Sequence, residues 1–130
     1  MTEAKETQKD NSDNLNEWKS VPWSAAVNGT SLQGYCETSF ATLKDLFGEH
    51  CASDGYKVST EWVVSNGKHV VTIYDYKETR LYDRRLPTVD QFRQQTSHQW
   101  HLGAKSQNVV ESFLAFLALK GIQGQVGLMW

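Results

Sequence analysis

The chain of 130 residues has few of the features that assign a compartment from sequence alone. It holds only two cysteines, a net charge of −2, and no apolar run near the roughly 18 residues that a membrane-spanning helix requires. Two cysteines without a charged and then apolar leader favour a reducing, cytosolic setting over secretion, so we expect the Asn28-Gly29-Thr30 sequon to be unused. The small net charge gives no overall attraction to nucleic acid or to a membrane surface.

The sequence also lacks the short motifs that define a catalytic class. It has no Walker phosphate loop, no Cys-x-x-Cys and no spacing typical of a Ser-His-Asp triad. Cys36 and Cys51 flank a predicted helix, and we interpret them as packed residues rather than nucleophiles. His98 and His101 are three apart on a predicted strand and therefore point to opposite faces, which argues against chelation. We expect no metal and no cofactor.

The apolar and aromatic content of the chain is sufficient for one folded domain. Hydrophobic residues make up 39% of it, with five each of Trp, Tyr and Phe, a content that excludes a wholly disordered chain. Residues 1–17 hold five of the fifteen acidic residues and no aromatic residue, so they are predicted to be a disordered acidic tail. Residues 18–121 are predicted to form a single α+β domain. Residues 122–130 form an apolar C-terminal extension, interpreted either as an edge strand or as a docking peptide for another chain.

The strongest structural signal is a predicted β-hairpin over residues 56–77. Two runs of alternating β-branched and aromatic residues are joined by Asn66-Gly67, a dipeptide typical of two-residue hairpin loops. The predicted cross-strand pairs are Val64 with His69, Trp62 with Val71, Thr60 with Ile73 and Val58 with Asp75. These side chains share one face, the predicted core side, and that face ends in the charged residues Asp75 and Lys77.

Helical spacing and capping residues predict the remaining elements. These are a strand around Ser31 to Cys36, a helix from Ser39 to Phe47 ended by Gly48, a single helical turn at Asp90 to Arg93, a strand at His98 to Gly103, and a final helix capped by Ser106 and closed by Gly121. The order β-α-β-β-β-α predicts a two-layer α+β sandwich. Its mostly antiparallel sheet would have three or four strands, with two helices on the face of Trp62 and Val71.

The charged end of the predicted core face is the main functional signal. Asp75-Tyr76-Lys77 has the D-x-K form of metal-dependent nucleases, in which the carboxylate holds Mg²⁺ and the lysine steadies the attacked phosphate. Such sites also need an earlier acid on the same face, but Glu61 is predicted on the opposite one, so Asp54 or Glu49 would have to substitute. An ion pair at a strand end is the simpler interpretation.

A second signal lies where the last helix begins. The backbone amides after Gly103, with Lys105 and Ser106, suit a phosphate or carboxylate, although a turn glycine and an ordinary helix cap explain the same residues. If the last strand pairs near the second hairpin strand, both signals converge at one end of the sheet, with Trp100 or Tyr76 as a stacking surface. The predicted ligand-binding residues are Asp75, Lys77, Trp100, His101, Lys105 and Ser106. The long connection from Thr79 to Ser97 adds four candidate nucleic-acid contacts, Arg80, Arg84, Arg85 and Arg93.

Six short sequence blocks occur in order between Ser31 and about Leu119, and together they form a recognisable pattern. They are SLQGY, the Phe-Gly after the short helix, EWVV, TIYDYK, LYDRRLPTVDQFR and WHLGAKS. This stretch, which covers most of the chain, resembles small uncharacterised proteins of bacteriophages and other large DNA viruses. TIYDYK and WHLG are its most specific parts. The resemblance implies a viral origin, with a place in the host cytoplasm or in the virion, and it implies no mechanism. Ala104 departs from the pattern, which has a second glycine after Gly103.

Three functions are consistent with these observations. The first is a non-enzymatic viral binding module that contacts a host or virion protein, or a phosphate-bearing small molecule. The second is a Mg²⁺-dependent nuclease that uses Asp75 and Lys77. The third is a double-stranded nucleic-acid-binding domain, because the α-β-β-β-α order after the first strand is similar to that of double-stranded RNA-binding domains. The last helix, however, offers only Lys105 near its start.

Overall fold

The computed structural model describes residues 17–23, 27–51, 59–76, 78–79 and 81–127. Six strands form one antiparallel sheet: β1 (Lys19–Ser20), β2 (Ser31–Thr38), β3 (Glu61–Ser65), β4 (Val70–Tyr74), β5 (His98–Ala104) and β6 (Gln123–Val126). Three helices accompany the sheet: α1 (Phe40–Phe47), α2 (Val89–Gln94) and α3 (Gln107–Leu119). The strand order is β1-β3-β4-β5-β2-β6. The predicted acidic tail lies outside the described residues, except for Glu17.

The α+β class and the antiparallel sheet are confirmed, but the predicted sheet of three or four strands with two helices is wrong. The described residues form six strands and three helices. The two additional strands, β1 and β6, have the sequences KS and QGQV, in which no apolar alternation is visible. They form because β3 and β2 present backbone groups with which they pair. Of the two interpretations of the C-terminal extension, the edge strand therefore describes Gln123–Val126, and residues 128–130 lie outside the described part.

The β3–β4 hairpin turns one residue later than predicted. The backbone N–H of Asn66 donates to the carbonyl of His69, so the loop residues are Gly67 and Lys68. Gly67 has φ 95°, at the position where a type II′ turn takes glycine, and the Asn66 side chain accepts from the N–H groups of Lys68 and His69. Val64 therefore faces Val71 instead of His69. Moving the turn by one residue moves each partner by two, so every side chain keeps its predicted face.

The core lies between this face of the sheet and the helices. Trp62, Val64, Val71, Ile73, Trp100 and Leu102 are almost completely buried on it. Each helix contributes a phenylalanine that packs against a tryptophan: Phe40 against Trp62 at 5.6 Å, Phe92 against Trp100 at 5.6 Å, and Phe113 against Trp18 at 5.1 Å between ring centroids. Burying a large apolar side chain contributes about 1.5–3 kcal/mol, so this layer is the main source of stability. The predicted helical side of the sheet is confirmed.

The helix boundaries follow their capping residues. The hydroxyl of Ser39 accepts from the N–H of Thr42 at 3.0 Å, and α1 ends before Gly48, whose φ of 78° few other residues adopt. The predicted single turn at Asp90 to Arg93 is a longer helix, because Thr88 and Gln91 form a reciprocal capping box. Ser106 occupies the cap position of α3 as predicted, although its side chain makes no capping hydrogen bond. None of the described helices combines the length and the apolar character needed to cross a membrane.

Candidate functional site

Asp75 is a buried structural residue in this fold. Its side chain lies on the core side, as predicted, and the residue is only 1% exposed. One carboxylate oxygen accepts from the backbone N–H groups of Ser59 (2.9 Å) and Thr60 (2.7 Å), and the other accepts from the Ser59 hydroxyl (2.7 Å). Both oxygens thus fix the start of β3 against the end of β4, which leaves little capacity for a cation. Lys77, the predicted partner of Asp75, lies outside the described residues.

The arginines of the long connection differ in their surroundings. Arg93 is half-buried, donates to the Thr60 hydroxyl and to the Ser59 carbonyl, and lies 5.1 Å from the ring centre of Phe40. Arg93 therefore ties α2 to the same chain segment that Asp75 holds. Arg84 and Arg85 are exposed, and Arg85 pairs with Asp83 at 2.7 Å. This hydrogen-bonded pair lowers the pKa of Asp83 and raises that of Arg85. Arg80 lies outside the described residues.

The predicted convergence at one end of the sheet is wrong for Lys105 and Ser106. Asp75 follows the end of β4 that pairs with His101, and Lys77 lies outside the described residues. Trp100 is buried in the core, where its indole N–H donates to the Thr38 carbonyl at 3.0 Å, whereas His101 lies on the opposite face. Lys105 and Ser106 are exposed, and Lys105 lines a small pocket at the hairpin turn, at the other end of β4 from Asp75. The separation arises because β5 runs antiparallel to β4, so the end of β5 lies beside the start of β4.

The face of the sheet opposite the core carries a group of aromatic rings around His101. Cross-strand pairing places His101 between Tyr35 on β2 and Tyr74 on β4. The His101 ring stacks on Tyr74 at 5.4 Å and lies 5.1 Å from Tyr35 and 5.8 Å from Tyr76, measured between ring centroids. We call these four residues the tyrosine cluster. Such rings combine an apolar body with a polar tip, which suits them to contacts with other molecules.

A cleft with a volume of ≈ 240 Å³ opens beside the cluster. Its lining residues are Val27, Thr30, Ser31, Glu61, Thr72, Tyr74, Tyr76 and Gly103, and we call it the tyrosine cleft. Tyr76 is 38% exposed, whereas Tyr74 is half-buried. The cleft therefore presents one well-exposed ring, one partly covered ring and one carboxylate.

Glu61 is the one acidic residue among the described residues that line the cleft. Burial and the neighbouring Glu61 raise the pKa of Tyr74 to about 12, so its phenol stays protonated. Burial lowers the pKa of His101, while Asp75 partly opposes that shift, so the imidazole is neutral. Among the described residues that line the cleft, none is a lysine or an arginine. The described lining thus combines two tyrosine rings with one carboxylate.

Gly103 allows β5 to pass close to the side chains of β4. A Cβ atom at this position would lie 2.5 Å from Oγ1 of Thr72, which is closer than real Cβ contacts. A larger residue at this position would therefore require Thr72 or the strand itself to shift.

The sequence contains a signal for this site, because alternation along TIYDYK places Tyr74 and Tyr76 on one face and Asp75 on the other. The Asp-x-Lys motif is the stronger local signal, and of the two tyrosines only Tyr76 is predicted to contribute, as a stacking surface. Tyr35 and Glu61 join them only through the pairing of β2 with β5 and of β3 with β4. That pairing is a tertiary feature without a local sequence signature.

Other combinations of reactive side chains are sparse in the described part of the chain. It contains no group of three or more His, Cys, Asp or Glu residues placed to hold a metal ion. Cys36 and Cys51 are free thiols, and burial raises the pKa of Cys36 to about 12. Comparison of the chain with protein-family models, curated proteins and solved structures gives no match.

Proposed function

We propose that this protein is a binding module that receives a basic side chain of a partner protein in the tyrosine cleft. The observation that carries the proposal is a cleft lined by two tyrosine rings and one carboxylate, with no lysine or arginine among its described lining residues. The resemblance to viral proteins adds that the partner is a host or virion protein.

The chemistry of the cleft favours a cation over other groups. A lysine or arginine side chain over a tyrosine ring gains about 0.5–2 kcal/mol, depending on how far it is removed from water. Glu61 adds charge attraction, which is strengthened where the local dielectric constant is low. Tyrosine is also enriched at protein interfaces, because it supplies a large contact area at a low entropic cost. A phosphate group would be repelled by Glu61.

The nuclease hypothesis receives less support from the geometry. Both oxygens of Asp75 already accept hydrogen bonds from Ser59 and Thr60, and the residue is 1% exposed. Binding of Mg²⁺ would require breaking these bonds and opening the β3–β4 end of the sheet. We therefore place the function on the opposite face.

The test is binding of a labelled decapeptide of alternating glycine and arginine, compared with its glycine and glutamate counterpart, by fluorescence anisotropy. We expect the arginine peptide to bind more tightly, with an affinity that decreases as salt is added. Tyr76→Ala and Glu61→Gln should each weaken binding by about 2- to 30-fold. Tyr82→Ala and Glu111→Gln are the matched controls, since Tyr82 and Tyr76 are each 38% exposed and Glu111 is an exposed acid on α3. Equal binding of the two peptides, or equal losses in variants and controls, would contradict the proposal.

A phosphate-bearing ligand is a second candidate, favoured by one specific observation. Lys68, His69 and Lys105 line a pocket of ≈ 100 Å³ between the hairpin turn and the start of α3. We expect pyrophosphate to perturb the backbone amides of Lys68 and Lys105 in NMR spectra, and Lys105→Gln to remove the effect.

A duplex RNA in the same titration tests the nucleic-acid hypothesis, for which binding should be strongly salt-dependent. Unchanged spectra with both ligands would contradict this candidate.

A further inference from the structure

A second polar pocket lies between β5 and the connection that precedes it, away from the tyrosine cleft. It has a volume of ≈ 290 Å³. Its described lining residues are Glu78, Leu86, Pro87, Phe92, Gln95, Ser97, His98 and Gln99, and we call it the His98 pocket. This volume is just below the range of about 300–1,000 Å³ typical of drug-sized ligands, so any occupant is small.

His98 is held rigidly in the wall of this pocket. The residue is 7% exposed, and its ring stacks on Phe92 at 3.8 Å and meets Trp100 edge-on at 5.5 Å, between centroids. The backbone of Phe92 acts on the ring as a hydrogen-bond acceptor, which partly opposes the effect of burial on the pKa of His98. In the part of the chain that the structure describes, Nε2 is buried and has no hydrogen-bond partner.

An unpaired buried acceptor of this kind is uncommon, because it costs about 1–3 kcal/mol of desolvation free energy. Burial lowers the pKa of His98, so the imidazole is neutral at pH 7. Because Nε2 has no partner and the Phe92 backbone accepts from the ring, we infer that the proton lies on Nδ1 and that Nε2 carries the lone pair. A ligand that donates a hydrogen bond to Nε2 would remove the cost.

Glu78 places a second acceptor in the same pocket. Glu78 is an exposed residue, and partial burial of its carboxyl together with the nearby Asp75 raises the pKa of that group, because both disfavour the ionised form. No lysine or arginine occurs among the described lining residues. Leu86, Pro87 and Phe92 provide the apolar part of the wall.

We propose that the His98 pocket binds a small organic cation with N–H donors, an ammonium or amidinium on a compact apolar body. The carboxylate of Glu78 accepts hydrogen bonds from the bound cation, and Leu86, Pro87 and Phe92 contact its apolar body. Nε2 of His98 accepts a further bond once the cation displaces the side chains that cover this atom. The pocket uses none of the residues of the tyrosine cleft, so this site is independent of the function proposed above.

Cation binding is coupled to the ionisation of Glu78. The bound charge stabilises the carboxylate, so binding releases protons from the fraction of Glu78 that is protonated in the free protein. The affinity should therefore increase as the pH rises through the raised pKa of Glu78 and become constant above it. A neutral ligand of the same shape would show no such dependence.

Benzylamine is a suitable probe, with benzyl alcohol and benzoate as neutral and anionic controls. Long-range ¹H–¹⁵N spectra of the histidine rings report hydrogen bonding at Nε2 of His98, and amide spectra report Gln95 and Ser97. We expect benzylamine to move these signals, with weaker effects from benzyl alcohol and none from benzoate. Glu78→Gln should weaken benzylamine binding by roughly tenfold or more. Glu111→Gln, on the exposed face of α3, should leave it unchanged.

Two further variants keep this test decisive. His98→Phe preserves the ring stack and should abolish the response. If His98→Phe fails to fold, Glu78→Gln reports on the same site from an exposed position. Tyr76→Ala should bind benzylamine like the wild-type protein, which distinguishes this pocket from the tyrosine cleft. Three results would overturn the proposal. They are the absence of a His98 response at saturating benzylamine, an equal response to benzyl alcohol, and a response confined to Tyr74 and Tyr76.

Discussion

The carboxylate of Asp75 and the backbone N–H of Thr60 are joined by a 2.7 Å hydrogen bond that closes the open end of the β3–β4 hairpin. The backbone N–H of Asp75 donates in return to the Thr60 carbonyl at 3.3 Å, which continues the strand pairing by one residue. Arg93 binds the hydroxyl of the same Thr60. The acid that the sequence marks as functional is thus part of a structural network between the sheet and α2.

Replacement of Asp75 by Asn is expected to lower the free energy of unfolding by about 1–3 kcal/mol, because the amide cannot accept from all three donors and leaves buried groups unpaired. Urea denaturation measures the change. Asp45→Asn, on the exposed surface of α1, is the control and should change stability by less than about 0.5 kcal/mol. Equal stability of the two variants would show that the Asp75 network is unimportant.

Gly103→Ala should destabilise the protein through one contact, the approach of the new methyl group to Oγ1 of Thr72. A Cβ atom there would lie 2.5 Å from that oxygen, whereas its next neighbours are at the ordinary distance of 3.6 Å. We expect a cost of about 1–3 kcal/mol. Thr72→Ala removes the oxygen, so Gly103→Ala should cost markedly less in that background, with a coupling of about 0.5–3 kcal/mol. Additive effects in this double-mutant cycle would disprove the contact.

The unfolding free energy should decrease as the pH falls from about 7 to about 5. Burial lowers the pKa values of His98 and His101 in the folded state, so the unfolded chain binds more protons below its histidine pKa of 6.5. The two histidines contribute their full stabilisation above pH 6.5, and this contribution is lost as the pH falls towards their lowered pKa values in the folded state. The slope is at most about 1.4 kcal/mol per pH unit for each histidine. The raised pKa of Glu78 acts in the opposite direction and makes the slope smaller.

His98→Phe should reduce this pH dependence, because it removes one of the two proton-binding groups while keeping the stacked ring. Urea unfolding of both proteins across the same pH range measures the slopes. Glu78→Gln should make the slope steeper than in the wild-type protein. Identical slopes in the wild-type protein and both variants would show that His98 and Glu78 do not cause the pH dependence of stability.

The two thiols should differ in reactivity. Cys36 is buried, its pKa is raised to about 12, and it should react with iodoacetamide only after unfolding, since the attacking species is the thiolate. Cys51 is partly exposed, and its pKa is raised by burial and by Glu61, so it should react slowly in the native protein. Mass spectrometry of the labelled peptides separates the two. Faster native labelling of Cys36 than of Cys51 would contradict the structure.

Local patterns in the sequence predicted those elements that depend on local physical chemistry. Ser39 and Gly48 delimit α1, and the alternation of β3 and β4 assigns Trp62 and Val71 to the core side even though the turn is displaced by one residue. The strand β1 is not predicted from local patterns, and β6 is predicted only as one of two interpretations of residues 122–130, because the pairing of both strands is determined by their neighbours. The candidate site has the same limitation: Glu61, Tyr35 and His101 join Tyr74 only when four strands are aligned, and no spacing in the sequence reports this.

The most direct test of the proposed function is a map of the backbone amides that shift when the arginine decapeptide is added to the ¹⁵N-labelled protein. We predict that the largest shifts occur at Thr72, Tyr74, Tyr76 and Gly103, and that Glu61→Gln reduces them. Shifts confined to the exposed face of α3 or to residues 81–86, with Tyr74 and Tyr76 unchanged, would contradict a binding site on the tyrosine face of the sheet.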